Sequence, residues 1–337
     1  MNKFDSIRPY EDSEVEEVLS SLCSNINVIR ALIDSTDSSL MSLLPFKEKI
    51  ISLYLKHKTK NITSIHEYQN LFESIVSKVV SQSIDNLSVS GLENLDKNKG
   101  YLFISNHRDI TLDSALLNLK LHQNGFQTTN NAVGNNLMNE KWASDLMRLN
   151  KSFIIDRSDK SKKDIYKSLN LASEFICNSI LNKTESVWIA QKQGRSKDGI
   201  DYTDPTVLKM IHLSKRKLLS IDKCFNDLNV VPVSISYEKD PNDLLKTREL
   251  YLTSINTSYE KEPREDLISI ADGIKGKKGN VHLSIGKKMV FVSDSYDDIA
   301  SQITNEIKSF NNELLHLNKL VLSLMIFEEI IEASSII

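Results

Sequence analysis

Apolar residues recur at intervals of three and four residues from the start of the chain to about Ser83. An S-E-V-E sequence at Ser13 is typical of a helix N-terminus, and the same spacing then includes Val15, Val18, Leu19, Leu22, Ile26 and Ile29. A second periodic stretch covers residues 40–55, and a third follows the S-I-H-E sequence that begins at Ser64. The pattern predicts a helical N-terminal subdomain over residues 1–84.

Beyond Ser83 the pattern changes to short β-rich runs that alternate with helical stretches. The runs cover residues 87–89, 101–104, 153–155, 186–190, 230–237 and 281–285, and the helical stretches include residues 114–121, 162–180 and 204–213. The runs YLFI, VWIA and VVPVSI are apolar on both faces, which is typical of strands in a buried sheet. The alternation predicts an α/β fold over residues 85–312, with a mixed, largely buried sheet flanked by helices.

The last segment, residues 313–337, is apolar and is interrupted by few charges, among them Glu328, Glu329 and Glu332. We expect a C-terminal apolar helix there, which either packs on the core or lies in a membrane interface. No run reaches the roughly 20 apolar residues that span a bilayer, and the first residues lack the apolar stretch of a signal peptide. We therefore expect the chain to meet a membrane from one side only.

The overall charge argues against a nucleic-acid partner, because the formal net charge is −3 at pH 7 and the pI is about 6.2. Basic runs at residues 215–217 and 275–278 are typical of solvated faces, and an anionic membrane surface is the alternative partner for them. The three cysteines, Cys23, Cys177 and Cys224, form neither a C-x-x-C motif nor a Cys/His cluster. We therefore expect no metal site and a reducing, cytoplasmic location.

The sequence SNHRDITLD, residues 105–113, places a histidine directly after a buried run and an aspartate six positions further on. The imidazole of His107 can accept a hydroxyl proton at neutral pH. A buried Asp113 carboxylate can fix the tautomer of that ring and stabilise its cation. A polar turn without chemistry is the alternative interpretation of this pair.

Cationic side chains follow two further β-rich runs. Arg157 ends the run FIIDR, and the loop QKQGRSKDG carries Lys192, Arg195 and Lys197 around Gly194. Because the ends of neighbouring strands meet at one edge of a sheet, we expect these groups to approach His107 and Asp113. Guanidinium groups match the oxygens of a phosphate, and the alternative role for each arginine is a surface or interface salt bridge.

The ordered blocks NHRDITLD, FIIDR, QGRSKDG and VVPVSISY resemble those of the glycerolipid acyltransferases, which include glycerol-3-phosphate and 1-acylglycerol-3-phosphate acyltransferases. The resemblance covers residues 87–290, where GNVHLSIGKKM is similar to the family's last strand, and it is closer to the glycerol-3-phosphate and dihydroxyacetone-phosphate branch. It implies a glycerol-3-phosphate acyltransferase-like fold. It also implies transfer of a fatty acyl group from acyl-CoA or acyl carrier protein to the hydroxyl of a glycerophosphate-type acceptor in phospholipid synthesis. No bound cofactor is implied, and the expected location is peripheral, on the inner face of the membrane.

The resemblance also implies a role for each block. His107 is expected to be the general base and Asp113 its partner, with the substrate hydroxyl in place of a catalytic serine and no covalent enzyme intermediate. Pro232 is expected to shape its strand. The implied substrate-binding residues are Arg108, Arg157, Lys192, Gly194, Arg195, Ser196 and Lys197. For Arg108, the alternative to a contact with the phosphate is that its side chain covers the catalytic pair.

One block departs from the family pattern, which has a glutamate before its glycine and arginine. This chain has Lys192 and Gln193 before Gly194 and Arg195, so a hydrogen bond is retained at this position but not a negative charge. A different acceptor, such as a lysophospholipid or an aminolipid precursor, therefore stays open, as does a non-catalytic module that binds lipid or acyl carrier protein. A serine hydrolase is not indicated, because the chain has no G-x-S-x-G motif.

Overall fold

The computed structural model describes residues 3–35, 46–138, 140–157, 161–255, 259–262 and 264–310. The chain divides into two compact units, one formed by Met1–Ser74 with Asn130–Ser168 and the other by Ile75–Thr129 with Leu169–Ile337. The boundaries predicted after residues 84 and 312 stay predictions, and the apolar helix predicted over residues 313–337 lies outside the described residues.

From the end of the fourth helix onward, the described elements include both helices and strands. The helices are α1 (Asp12–Ser24), α2 (Ile26–Ser35), α3 (Lys47–Thr59), α4 (Ile65–Ser83), α5 (Leu112–Gln123), α6 (Lys141–Leu149), α7 (Lys162–Lys183), α8 (Pro205–His212), α9 (Ile221–Asp227), α10 (Asp243–Ile255), α11 (Glu265–Lys275) and α12 (Tyr296–Ser309). The strands are β1 (Ile84–Ser90), β2 (Leu102–Ser105), β3 (Asn130–Gly134), β4 (Ser152–Ile155), β5 (Val187–Ala190), β6 (Val230–Tyr237) and β7 (Gly279–Ile285). Two short 3-10 turns cover Leu92–Asn94 and Asn135–Met138.

The first unit combines helices with a parallel pair of strands. Its apolar core is formed by Val15, Val18, Leu19, Leu22, Tyr68 and Leu149, which come from α1, α4 and α6. β3 and β4 pair in parallel from Asn131 opposite Ser152 to Gly134 opposite Ile155. The apolar spacing along α1 thus corresponds to its buried face, as expected of an amphipathic helix.

The two predicted helix N-termini have different outcomes. The prediction for α4 is confirmed, because Glu67 N–H donates to Ser64 Oγ at 3.2 Å and Ser64 N–H donates to Glu67 Oε2 at 3.1 Å. The prediction of a cap at Ser13 is wrong, because α1 already begins at Asp12. The Glu14 carboxylate instead accepts the N–H of Glu11 at 2.8 Å, and Arg8 holds that carboxylate at 2.6 Å.

The second unit contains five strands in the order β1-β7-β6-β2-β5. β2 lies between β5 and β6 and is parallel to both, whereas β6 and β7 are antiparallel and β1 is parallel to β7. All residues of β2 and β6 are buried, and α12 packs on β6 with Ile299, Ile303 and Ile307. The predicted α/β class, with a mixed and largely buried sheet flanked by helices, is therefore confirmed.

The parallel strands of the second unit set the position of the site. Because β2, β5 and β6 run in the same direction, their carboxyl ends lie at the same edge of the sheet. The segment that carries His107 follows β2, the loop that carries Arg195 follows β5, and β6 ends at Tyr237. Within the described ranges, no helix has the length and apolar character needed to cross a membrane.

Candidate active site

The Asp113 carboxylate, in the first turn of α5, has hydrogen-bond partners at both of its oxygens. Its Oδ2 atom lies 2.8 Å from His107 Nδ1 and accepts the backbone N–H groups of Arg108 at 2.6 Å and Asp109 at 3.1 Å. Its Oδ1 atom accepts the hydroxyl of Tyr237 at 2.8 Å. The side chain is almost completely buried, at 1% exposure. Donors on both oxygens stabilise the ionised form of a buried carboxylate.

The turn between β2 and α5 is held by its own side chains. Asp109 Oδ1 accepts the N–H groups of Thr111 at 2.9 Å and Leu112 at 2.8 Å. N–H groups at the start of a helix have no acceptor within the helix, so this side chain supplies one. Asp113 lies in the first turn of α5, where the helix dipole also favours a negative charge. The backbone of this turn therefore aims two N–H groups at the same carboxylate oxygen.

His107 is fixed by Asp113 on one side and by an aromatic ring on the other. The ring of Trp188 on β5 meets the imidazole edge to face, with centroids 5.7 Å apart, and Trp188 Nε1 donates to Ser105 Oγ at 2.9 Å. When Asp113 accepts the proton on Nδ1, the lone pair of the neutral ring lies on Nε2. No hydrogen bond from the described part of the chain occupies Nε2, and 14% of the side chain is exposed.

A buried polar network lies beneath this pair. Asn106 Nδ2 donates to Asp201 Oδ2 at 3.3 Å, and Arg108 Nη2 pairs with the same oxygen at 2.6 Å. Gln191 Nε2 donates to Asp201 Oδ1 at 3.3 Å. The structure thus places the Arg108 guanidinium in a buried ion pair, and its predicted contact with substrate stays a prediction.

The loop after β5 is attached to the backbone of His107. The N–H of Ser196 donates to the carbonyl oxygen of His107 at 2.8 Å, and Ser196 Oγ donates to the carbonyl oxygen of Ile200 at 3.1 Å. Gly194 has a φ of +74°, a left-handed conformation that glycine adopts at little cost. This attachment keeps Arg195, the neighbour of Ser196, on the same side as the histidine.

The cations of this loop have different surroundings. Arg195 Nη2 donates to Ser269 Oγ at 3.2 Å, and Lys197 pairs with Glu249. Lys192 lies over the ring of Tyr202 at 4.2 Å, and burial lowers its pKa. The loop therefore brings Gly194, Arg195 and Ser196 to the His107 segment, while Lys197 is held by an acidic partner on α10.

Arg157 lies in the first unit, directly after β4. Its backbone N–H donates to Asn135 Oδ1 at 3.3 Å. The predicted role of Arg157 in binding the acceptor phosphate stays a prediction.

Three residues of the site were not predicted from the sequence: Tyr237, Asp109 and Asp201. Burial and the nearby Asp113 carboxylate raise the pKa of Tyr237 well above its ordinary value, so its hydroxyl remains a donor. The pKa of Asp109 is also raised, mainly because the carboxyl is buried and, to a smaller extent, because the Asp113 carboxylate lies nearby. The only available signal for Tyr237 was a hydroxyl at the end of a buried run, and nothing in the sequence linked Asp201 to His107.

Comparisons with known proteins give one family match. Residues 86–236 match the family model described as Acyltransferase. The search of curated proteins found no match. The described part of the chain contains no cluster of three or more His, Cys, Asp or Glu side chains that could hold a metal ion.

Two solved structures are similar to the chain at low identity. A 1-acyl-sn-glycerophosphate acyltransferase, PlsC, from Thermotoga maritima is 14% identical, with 90% of this chain and 100% of that chain covered and a TM-score of 0.38. A signal recognition particle receptor, FtsY, from Elizabethkingia anophelis in complex with GDP is 10% identical, with 90% and 93% covered and a TM-score of 0.25. Neither score establishes a common fold. The family match, which begins in β1 and ends in β6, agrees with the resemblance of the sequence blocks to acyltransferases.

Proposed function

We propose that the chain is an O-acyltransferase of phospholipid synthesis, which moves a fatty acyl group from acyl-CoA or acyl carrier protein to a hydroxyl of a glycerophosphate-type acceptor. Glycerol 3-phosphate and lysophosphatidate are the leading acceptors. The observation that carries this proposal is the 2.8 Å contact between His107 Nδ1 and Asp113 Oδ2. That contact leaves Nε2 of His107 as the proton acceptor of the ring.

The chemical step uses the imidazole twice. Nε2 of His107 takes the proton of the acceptor hydroxyl as its oxygen attacks the thioester carbonyl carbon, and Asp113 stabilises the imidazolium that forms. The new C–O bond forms and the C–S bond breaks, so the thiolate leaves with the bonding electrons. The imidazolium then gives its proton to that thiolate. His107 is regenerated without a covalent enzyme intermediate.

Arg195 supports a phosphate-bearing acceptor. Its Nη1 atom is buried and makes no hydrogen bond to any residue that the structure describes, whereas Nη2 is held by Ser269. A guanidinium with one donor engaged and another available can bind an anionic oxygen without leaving its position. Arg157 is proposed as a second phosphate ligand on the sequence block alone.

A second acceptor class is favoured by the loop after β5. Lys192 and Gln193 stand where the family pattern has a glutamate, so this position has no carboxylate to orient a cation or a hydroxyl. The acceptor is then another lysolipid or an aminolipid precursor, and the transfer chemistry at His107 is unchanged. In either case we propose that the protein acts at the cytoplasmic face of an anionic membrane, because the acylated products partition into the lipid bilayer.

The test is acyl-dependent thiol release by the purified full-length chain. Palmitoyl-CoA and palmitoyl-acyl carrier protein are each combined with glycerol 3-phosphate, dihydroxyacetone phosphate or lysophosphatidate, and the lipid product is identified by mass. His107→Ala and Asp113→Asn are compared with His57→Ala, since His57 is an exposed histidine on α3 and makes a matched control.

We expect acceptor-dependent release in the wild type and in His57→Ala, with a loss of about a hundredfold or more in His107→Ala and Asp113→Asn. Release by His107→Ala at the wild-type rate would refute the general-base assignment. Tight binding of the acyl donor without release from any acceptor would favour the non-catalytic lipid-binding interpretation.

A further inference from the structure

The segment between β6 and β7, residues 238–278, lies beyond the acyltransferase match and contributes two helices to the surroundings of the site. Its helix α11 presents Ser269 and Gly273, four residues apart and therefore on one face. Ser269 Oγ accepts from Arg195 Nη2 at 3.2 Å. A Cβ atom at Gly273 would come within 2.2 Å of Asp109 Oδ2, so Asp109 lies directly against this face.

Asn242, just before α10, joins the same face. Its Nδ2 atom donates to the carbonyl oxygen of Ser269 at 3.2 Å, and its own N–H donates to Asp240 Oδ1 at 2.9 Å. The side chain is buried, at 1% exposure. Lys246, also buried, donates to the carbonyl oxygen of Arg108 at 2.7 Å and pairs with Asp240. These contacts fix the segment against the turn that carries the histidine.

Three buried polar atoms beside this face make no hydrogen bond within the described part of the chain. They are Asp109 Oδ2, Arg195 Nη1 and Asn242 Oδ1. Folded proteins leave few such atoms without a partner, because an unpaired buried polar group is unfavourable. The three atoms comprise a cationic donor, an amide acceptor and a carboxyl oxygen, so together they match a ligand with both an anionic oxygen and a hydrogen-bond donor.

We infer that Asn242 and Ser269 complete the acceptor site, where they hold an anionic head group that also carries a neighbouring hydroxyl or ammonium group. This inference rests on the proposed acyltransferase function. Arg195 binds the anionic oxygen, and Ser269 is a positioning residue that keeps the guanidinium in place. Asn242 Oδ1 accepts the O–H or N–H of the head group. A site enclosed in this way also excludes water, which would otherwise compete for the thioester.

The segment therefore determines which acceptor the histidine acylates. A head group with an anion alone leaves Asn242 Oδ1 unpaired, and a neutral polyol leaves Arg195 Nη1 unpaired. Sites built to satisfy buried polar groups discriminate strongly against ligands that leave one of those groups unpaired.

The experiment measures binding and turnover separately on the full-length chain. Calorimetric titration uses glycerol 3-phosphate for the hydroxyl class, phosphoethanolamine for the ammonium class, and inorganic phosphate and glycerol as single-feature probes. The variants are Ser269→Ala and Asn242→Ala. Ser254→Ala is the matched control, because Ser254 is an exposed serine on α10 whose hydroxyl donates only to the backbone oxygen of Tyr251 among the described residues.

We expect one of the two bifunctional probes to bind the wild type at least about tenfold more tightly than phosphate or glycerol. Ser269→Ala should weaken that binding about tenfold and raise the acceptor KM by the same factor, with kcat and the thioester KM within about twofold of wild type. Asn242→Ala should reduce the preferred probe to the affinity of phosphate, and Ser254→Ala should change nothing.

Equal affinity of the wild type for all four probes, or wild-type binding in both Ser269→Ala and Asn242→Ala, would overturn the inference and indicate that solvent alone satisfies the three atoms. If thiol release is absent in the wild type while probe binding follows the expected order, the proposed function fails and the head-group site stands. If thiol release is normal while Ser269→Ala and Asn242→Ala bind the probes as the wild type does, the head-group site is refuted and the proposed function is retained.

Discussion

Tyr237→Phe is a test of how Asp113, the proposed partner of the general base, is held. The substitution removes one hydroxyl and leaves the ring, so packing at the end of β6 is retained. It deletes the 2.8 Å hydrogen bond to Asp113 Oδ1, which is the only hydrogen bond to that oxygen among the described residues. Asp113 Oδ2 keeps its contacts with His107 and with two backbone N–H groups. The perturbation is therefore confined to one oxygen of one carboxylate.

The size of the effect follows from the environment of that bond. A hydrogen bond to a charged group contributes about 1.5–3 kcal/mol, and here the acceptor is buried, so water does not replace the lost donor. In the proposed mechanism, Asp113 stabilises the imidazolium most strongly in the transition state, where the acceptor proton has reached His107. If most of the lost hydrogen-bond energy raises the free energy of the transition state, kcat falls about tenfold to a hundredfold, since each 1.4 kcal/mol corresponds to a factor of ten.

The assay is steady-state thiol release with the acceptor and thioester varied independently. We expect kcat to fall while both KM values stay within about twofold, because Tyr237 contacts the aspartate and is not proposed to touch either substrate. Tyr101→Phe is the matched control. Tyr101 is also buried, and its hydroxyl accepts one backbone N–H, that of Asp96 at 2.7 Å, at the other end of β2.

A kcat within twofold of wild type in Tyr237→Phe would refute the reasoning, since it would mean that Asp113 needs no donor on Oδ1 to support the histidine. Equal losses in Tyr237→Phe and Tyr101→Phe would point to a general loss of packing. Thermal unfolding of both variants separates that outcome from a specific effect on the step at His107.

Three further predictions concern stability. Burial and Asp113 raise the pKa of Asp109, so the fold loses stability as the pH rises from the ordinary aspartate value of about 3.9 to that raised pKa; Asp109→Asn should increase the Tm at pH 7, by a difference that shrinks as the pH falls toward about 4. Burial lowers the pKa of Lys278 to about 8, below the ordinary lysine value of about 10.4, so the fold binds fewer protons than the unfolded chain between these values. The unfolding free energy of the wild type relative to Lys278→Met should therefore rise between about pH 8 and 10.4. A Cβ atom at Gly194 meets no atom within 4 Å, so Gly194→Ala should cost only the backbone strain of a left-handed residue, about 1 kcal/mol by denaturant unfolding.

Each of these predictions has an outcome that contradicts it. A lower Tm for Asp109→Asn at pH 7 would mean that its carboxylate is stabilising when charged. Parallel pH curves for the wild type and Lys278→Met would mean that Lys278 titrates as an exposed lysine does. A loss of several kcal/mol of unfolding free energy in Gly194→Ala would mean that the added methyl group clashes with a neighbouring atom, although the structure shows open space there.

The elements that could be predicted from the sequence are those whose pattern is decided locally. The strands β2, β5 and β6 are apolar on both faces, and their predicted bounds lie within one or two residues of the observed ones. The helix N-terminus at Ser64 follows from two side chains that satisfy each other's backbone groups. The pairing of His107 with Asp113 is also local, because both residues belong to one turn between a strand and a helix.

The elements that were missed depend on contacts distant in sequence. β3 begins with Asn130 and Asn131, so its first residues lack the apolar pattern typical of a buried strand. The strand forms because it pairs with β4. The helices α10 and α11 have few buried apolar positions, so their periodicity is weak. Tyr237 and Asp201 reach the site only through the order of the strands and the fold of the following loop, which no spacing rule gives.

Asn106 shows why the histidine follows an asparagine at this point of the chain. Its side-chain amide donates to the carbonyl oxygen of Ile235 at 3.1 Å and accepts the N–H of Ile235 at 2.8 Å, as a backbone peptide of a neighbouring strand does. β2 ends at Ser105, so this amide continues the pairing with β6 after the backbone has left the sheet. The backbone after β2 can then turn at His107 into α5, while β6 remains hydrogen-bonded to the Asn106 amide at Ile235. Two residues further along β6, Tyr237 contacts Asp113. One buried side chain thus lets two parallel strands end at different points, and that difference in length allows the histidine from one strand and the tyrosine from the other to meet at the same carboxylate.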